Sequence, residues 1–179
     1  MPSTYTLISS NTLSSAATDV TFSAIPSTYT DLVLQYSVRQ ASGGVATWPQ
    51  PYISFNGVTT GGLYSNTCLY SYRSATVSSF RDSNISVGAS SYYINGNVTT
   101  ANTFTPAELY IPSYTAVQNK PISFFSSGMS IPAAPDENYL QATASLFRST
   151  SAITSINLQV GSPGFAIGSS FYLYGIKNS

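Results

Sequence analysis

Histidine is absent from this 179-residue chain, cysteine occurs once, and charged residues make up only 7% of it. An average soluble domain carries roughly 25% charged residues. Each shortage excludes a kind of chemistry. Without histidine there can be no Ser-His-Asp triad and no His-ligated metal. A single cysteine, Cys68, rules out an intramolecular disulfide framework and fits synthesis in a cytoplasm. Six basic and six acidic residues give a formal net charge of zero, so the electrostatic footprint that nucleic acids demand is missing. No apolar run approaches the ~20 residues of a membrane helix. Met1-Pro2-Ser3-Thr4-Tyr5 has neither the basic region nor the apolar stretch of a secretory signal. Polar chemistry therefore falls to Ser, Thr, Asn, Gln and fourteen Tyr, which hydrogen-bond well but do not titrate near neutrality. The expectation is a protein that packs and adheres, not an enzyme, and one without a cofactor.

What is present points to strands. Hydrophobic residues at 42% suffice for a core, and the length suits one domain over residues 1–179. Apolar and polar residues alternate with period two along several runs. From Asp31 to Arg39, the set Leu32, Leu34, Tyr36 and Val38 is expected to face inward. From Tyr139 to Phe147, Leu140, Ala142, Ala144 and Leu146 are expected inward, with Gln141, Thr143 and Ser145 outward. Ser155 to Val160 and Ser170 to Ile176 follow the same rule. The last has apolar residues on both faces and is expected inside a sheet. Weaker candidates are Tyr5 to Ser9, Val20 to Ala24, Tyr52 to Phe55, Tyr92 to Asn95, Glu108 to Ile111 and Ile122 to Phe125. Gly43-Gly44, Asn56-Gly57, Gly61-Gly62 and Asn95-Gly96 supply the positive φ of tight turns. No helical stripe appears, and the irregular stretch from Thr59 to Asn102 reads as long loops. The predicted fold is all-β, a single jelly-roll-like antiparallel β-sandwich.

Chemistry-bearing motifs are weak. Cys68 has no base beside it and no nearby cation except Arg73, so it reads as a small apolar filler. Glycoside hydrolysis needs two opposed carboxylates about 5–10 Å apart. Asp136 and Glu137 are chain neighbours that point apart, and a distant pair such as Asp82 with Glu108 would have to be brought together by folding. No calcium-loop spacing and no phosphate loop is found, so no metal site is expected. The aromatics Trp48, Tyr52, Tyr92 and Tyr93, near turns, are the candidate glycan-binding or interface residues, since exposed rings give large contact area at low entropic cost.

Several segments resemble small virion structural proteins of tailed bacteriophages. Phe22-Ser23-Ala24-Ile25-Pro26-Ser27-Thr28-Tyr29-Thr30 matches the pattern F-x-x-I-P-x-T-Y-T. Phe55-Asn56-Gly57 and Leu109-Tyr110-Ile111-Pro112-Ser113-Tyr114, with Lys120 after it, follow in order. The end, Phe171-Tyr172-Leu173-Tyr174-Gly175-Ile176-Lys177, is similar to the F-x-L-Y-G-I-K close of that group. The resemblance implies a virion protein with a jelly-roll-like fold, made in the host cytoplasm. The first expectation is a head decoration or cement protein, a homo-oligomer and most simply a trimer, whose partner is the major capsid protein. The alternative is a tail-fibre or receptor-binding module that recognises host surface glycans. Neither expectation involves nucleic acid or a membrane.

Overall fold

The period-two alternation folds as eleven antiparallel strands without a helix among the described residues. They are β1 (Tyr5–Thr12), β2 (Asp19–Phe22), β3 (Asp31–Val38), β4 (Tyr52–Phe55), β5 (Tyr64–Tyr72), β6 (Val77–Ile85), β7 (Thr105–Ile111), β8 (Lys120–Met129), β9 (Asn138–Phe147), β10 (Ile156–Gln159) and β11 (Ser170–Ile176). This computed structural model describes residues 4–41, 49–72, 76–88, 93–96, 99–129 and 138–177. Eight strands form one sheet in the order β1-β11-β3-β7-β8-β9-β5-β6, and three form a second in the order β2-β10-β4. The expected all-β antiparallel sandwich is observed, with its strands divided eight and three.

The small sheet lies against one face of the large one, and a single apolar cluster fills the space between. Val20, Phe22, Ile53, Phe55, Ile156 and Leu158 of the small sheet meet Leu32, Leu34, Tyr36, Leu109, Phe147 and Leu173 of the large one. The Phe55 ring lies 5.4 Å from Phe147 and 6.2 Å from Tyr64 between ring centres. Asn56 and Gly57, at φ 54° and 68°, make the tight turn closed by Val58 N–H donating to Phe55 O at 2.9 Å. The Asn56 side chain then ties down the loop before β10, donating to Ala152 O at 2.8 Å and accepting from Thr154 N–H at 2.8 Å.

Three expectations are corrected by this architecture. The stretch from Thr59 to Asn102 is not only loop, for it contains the β5–β6 hairpin. Its strands read YSNTCLYSY and VSSFRDSNI, where hydroxyl and amide residues blur the apolar alternation. The second correction concerns β9, whose alternation is real but inverted. Tyr139, Gln141, Thr143, Ser145 and Phe147 are buried, whereas Leu140, Ala142 and Ala144 are exposed. The expected strand Tyr92 to Asn95 is reduced, within its described part, to an isolated bridge between Asn95 and Arg39. The last strand, β11, lies between β1 and β3 and is paired on both sides, as its two apolar faces predict.

Candidate functional site

Three of the charged side chains brace the fold. Lys120 is fully buried, and its Nζ donates to the carbonyls of Ala116 at 2.7 Å, Gln118 at 2.6 Å and Ser149 at 3.3 Å. Burial holds its pKa below the ordinary lysine value. Arg39 donates to Thr99 Oγ1 and Thr100 O, both at 2.8 Å, and its pKa is likewise lowered by burial. Arg148 donates to Gly62 O and to Asn84 Oδ1. Each cation thus gathers backbone carbonyls from loops that have no ladder partners of their own.

The segments on which the phage resemblance rests converge at one corner. Tyr114, fully buried, donates its hydroxyl to Pro26 O. Asp31 accepts from the Tyr110 hydroxyl and from Ser113 N–H, both at 2.8 Å. That hydrogen bond, with burial, holds the Tyr110 hydroxyl above the usual tyrosine pKa. The Tyr29 ring covers Gly175 so closely that a Cβ there would sit 2.3 Å from it. The motif residues therefore have packing roles. Tyr110, Tyr172 and Tyr174 of the same segments also stand on the outer face of the large sheet.

The main surface feature is the outer face of the eight-stranded sheet. The register sets its side chains in rows. One row runs Leu69, Ala142, Phe125, Glu108, Gln35, Tyr172, and the next runs Thr67, Ala144, Ser123, Tyr110, Val33, Tyr174, Leu7. Of the large apolar side chains exposed among the described residues, Tyr5, Leu7, Leu69, Val77, Phe125 and Leu140 lie on this face. Val117 and Ile167 lie elsewhere. Phe125 is 51% exposed and separates two shallow grooves of about 410 and 450 Å³. Charge is sparse here: Glu108 accepts from Gln35 Nε2 at 2.9 Å, and Arg81 lies at the β6 end. The exposed apolar side chains gather in two groups, Leu69, Val77, Phe125 and Leu140 toward the β6 end and Tyr5 and Leu7 at the β1 end, with Gln35, Glu108 and Ser123 between them.

The aromatics singled out in the sequence fall elsewhere. Trp48 and Tyr92 lie outside the described residues. Tyr52 is half-buried at the start of β4, an edge of the small sheet. Tyr93 is half-buried, its carbonyl accepting from the Tyr139 hydroxyl and its ring edge-on to Tyr139 at 6.1 Å. Ile94 N–H donates to Pro49 O at 3.0 Å, so the segment bearing Tyr93 runs beside the one that leads to Tyr52. Asp82 shares the inner side of the sheet with Asn66, whereas Glu108 points from the outer side, so these two carboxylates do not face each other. Asp136 and Glu137 lie outside the described residues. Cys68 is buried, and burial raises its thiol pKa.

Sequence reasoning missed the open face because each strand was judged alone. The available signal was the row of Leu140, Ala142 and Ala144 beside the second phenylalanine of Phe124-Phe125, two apolar sets that register brings side by side. Comparison of the chain with family models, curated proteins and solved structures gave no match.

Proposed function

We propose that this is a virion structural protein of a tailed bacteriophage, a head decoration protein that binds the assembled shell as a homo-oligomer. The observation that carries the reading is the open, charge-poor apolar face of the large sheet, a surface built for protein contact. The motif resemblance supplies the setting. Of the five cations among the described residues, Arg39, Lys120 and Arg148 are tied to backbone carbonyls. The mechanism is linkage: a protein that binds the finished shell and not its loose subunits stabilises the shell by mass action. A trimer suits the three-fold positions that icosahedral shells present.

Copies per purified virion, measured by quantitative gel densitometry, test the role. Hundreds of copies, with heads that resist heat better when the protein is added back, agree with decoration. A copy number near that of tail proteins, together with reproducible glycan-array binding, gives the tail-fibre alternative instead.

A further inference from the structure

We propose that the open face of the eight-stranded sheet is a self-association surface, covered in the native assembly by a second copy of this chain. The inference rests on reading the protein as an assembling structural component, and it names the surface that assembles.

Both edges of the eight-stranded sheet carry features that oppose pairing, which favours association through the face. At the β1 edge the register shifts between Leu7 and Ser9, and the intervening Ile8 packs toward the core. At the β6 edge the ladder is irregular opposite Tyr64 and Ser65, Asn84 has φ 56°, and Arg81 and Asp82 are exposed. Bulges and charged side chains are the usual means of preventing one edge strand from adding to another.

The face has an area close to that of an ordinary stable interface. Eight strands at about 4.8 Å spacing make a face about 34 Å wide. Three to four rows of side chains give it a height of about 20 Å, hence a footprint on the order of 700 Å². A stable pair of proteins buries about 800 Å² per partner, and obligate homo-oligomers use the more apolar surfaces. A foreign partner recognised by charge would find little here beyond Glu108, which Gln35 already engages, and Arg81. Each face carries one exposed acid, Glu108, and one exposed base, Arg81, so two identical faces bring no net charge against each other. A second copy is also the partner that is present from synthesis onward, when an uncovered apolar face would otherwise invite aggregation.

Shape agrees with chemistry. Phe125 projects between two grooves, one bounded by Pro106, Ser37 and Tyr172, the other by Leu69, Tyr110 and Ala144. A knob beside a hole on one surface is the self-complementarity that contact between identical subunits requires. It serves reciprocal insertion about a two-fold axis and head-to-tail insertion around a closed ring alike.

The test is the mass of the full chain by size-exclusion chromatography with light scattering, across a hundredfold range of concentration. The expected result is a multiple of the 19.0 kDa chain mass. Phe125→Glu and, separately, Leu140→Lys should raise the dissociation constant by at least about 30-fold. Circular dichroism should stay unchanged in both, because both side chains are half-exposed. Radical footprinting of the unmodified protein supplies a readout free of any folding defect, with Phe125, Leu140 and Tyr172 expected to be shielded in the assembly. A monomer at every concentration, or an oligomer in which those residues label fully, overturns the proposal. Head binding by purified protein separates the two readings. An oligomer held by this face that ignores heads keeps the interface and removes the decoration role, and a monomer that binds heads does the reverse.

Discussion

Strands β3 and β9 lie in the same sheet and alternate with the same period, yet the aliphatic residues of β9 from Leu140 to Ala144 point away from the side on which β3 buries its own. In β3, Leu32, Leu34, Tyr36 and Val38 are buried beneath the small sheet, while Gln35 is exposed. In β9, Leu140, Ala142 and Ala144 face outward, while Gln141, Thr143 and Ser145 are buried. The buried polar side chains of β9 satisfy one another and their neighbours. Gln141 Nε2 donates to Thr143 Oγ1 at 2.9 Å, and Ser145 Oγ donates to Asn66 Oδ1 at 2.7 Å. Such groups can be enclosed when paired, whereas unpaired they would cost several kcal/mol. Alternation fixes that a strand has two faces. What lies over each face decides which one is inside.

The largest test removes a strand that β3 needs and β9 does not touch. Deleting Phe171 to Ser179 strips β11 from between β1 and β3 and exposes Leu34 and Tyr36 along with their partners. The loss should exceed the ~5–15 kcal/mol margin of a domain and leave insoluble protein. A soluble truncation with native circular dichroism would show that β3 does not depend on its neighbour.

Smaller changes probe the inward sides. Leu34→Ala, at a fully buried position, should cost about 3 kcal/mol in chemical denaturation. Thr143→Val in β9 replaces a hydroxyl that accepts from Gln141, and should cost about 1 kcal/mol although valine is the more apolar residue. Stabilisation by that substitution would mean that the polar inner row of β9 is tolerated rather than required.

The enclosed and hydrogen-bonded phenols add a pH dependence. Burial raises the pKa of Tyr36, whose enclosed hydroxyl has no hydrogen-bond partner, and also those of Tyr64, Tyr114 and the Cys68 thiol. Tyr110 is raised first by its hydrogen bond to Asp31. All of these stay protonated in the folded chain at pH values where the unfolded chain has begun to ionise. Their stabilising effect is complete below the unfolded pKa and is lost as pH rises above about 9 to 10. Lys120 acts the other way: its lowered pKa makes stability rise with pH in the same range. With four tyrosines and a thiol against one lysine, the expected outcome is a melting temperature that falls above pH ~9. A melting temperature that held level or rose there would contradict this. The smallest stability effect belongs to the outer face. Leu140→Ala should change monomer stability by less than about 0.5 kcal/mol, a sixth or so of the Leu34 effect. An equal cost for the two would erase the distinction between the faces.

Much of the fold was legible in the sequence because the core strands alternate cleanly. Ser170 to Ile176 and Tyr52 to Phe55 form over the predicted residues, and β3 ends one residue short of prediction. The β5–β6 hairpin was not legible, since Ser, Thr and Asn occupy positions where a solitary strand would carry Val or Ile. The candidate site was the least legible part. Leu69, Phe125 and Leu140 come from three strands, and only register makes them one surface. The aromatic residues near turns were conspicuous individually, and of the two described, Tyr93 packs against Tyr139.

The position of β11 also bears on how the chain reaches its native state in time. Arg39, next to β3, exchanges hydrogen bonds with Ser169, next to β11, across 130 residues. At the ~5–20 residues per second of synthesis, β3 waits on the order of ten seconds for that partner to be made. During the wait one of its edges is unpaired, and so is the apolar row that β11 will cover. Sheets dominated by such distant pairings close slowly and are prone to aggregate while they remain open. Yield on expression should therefore depend on temperature and on chaperone supply more steeply than equilibrium stability alone would suggest.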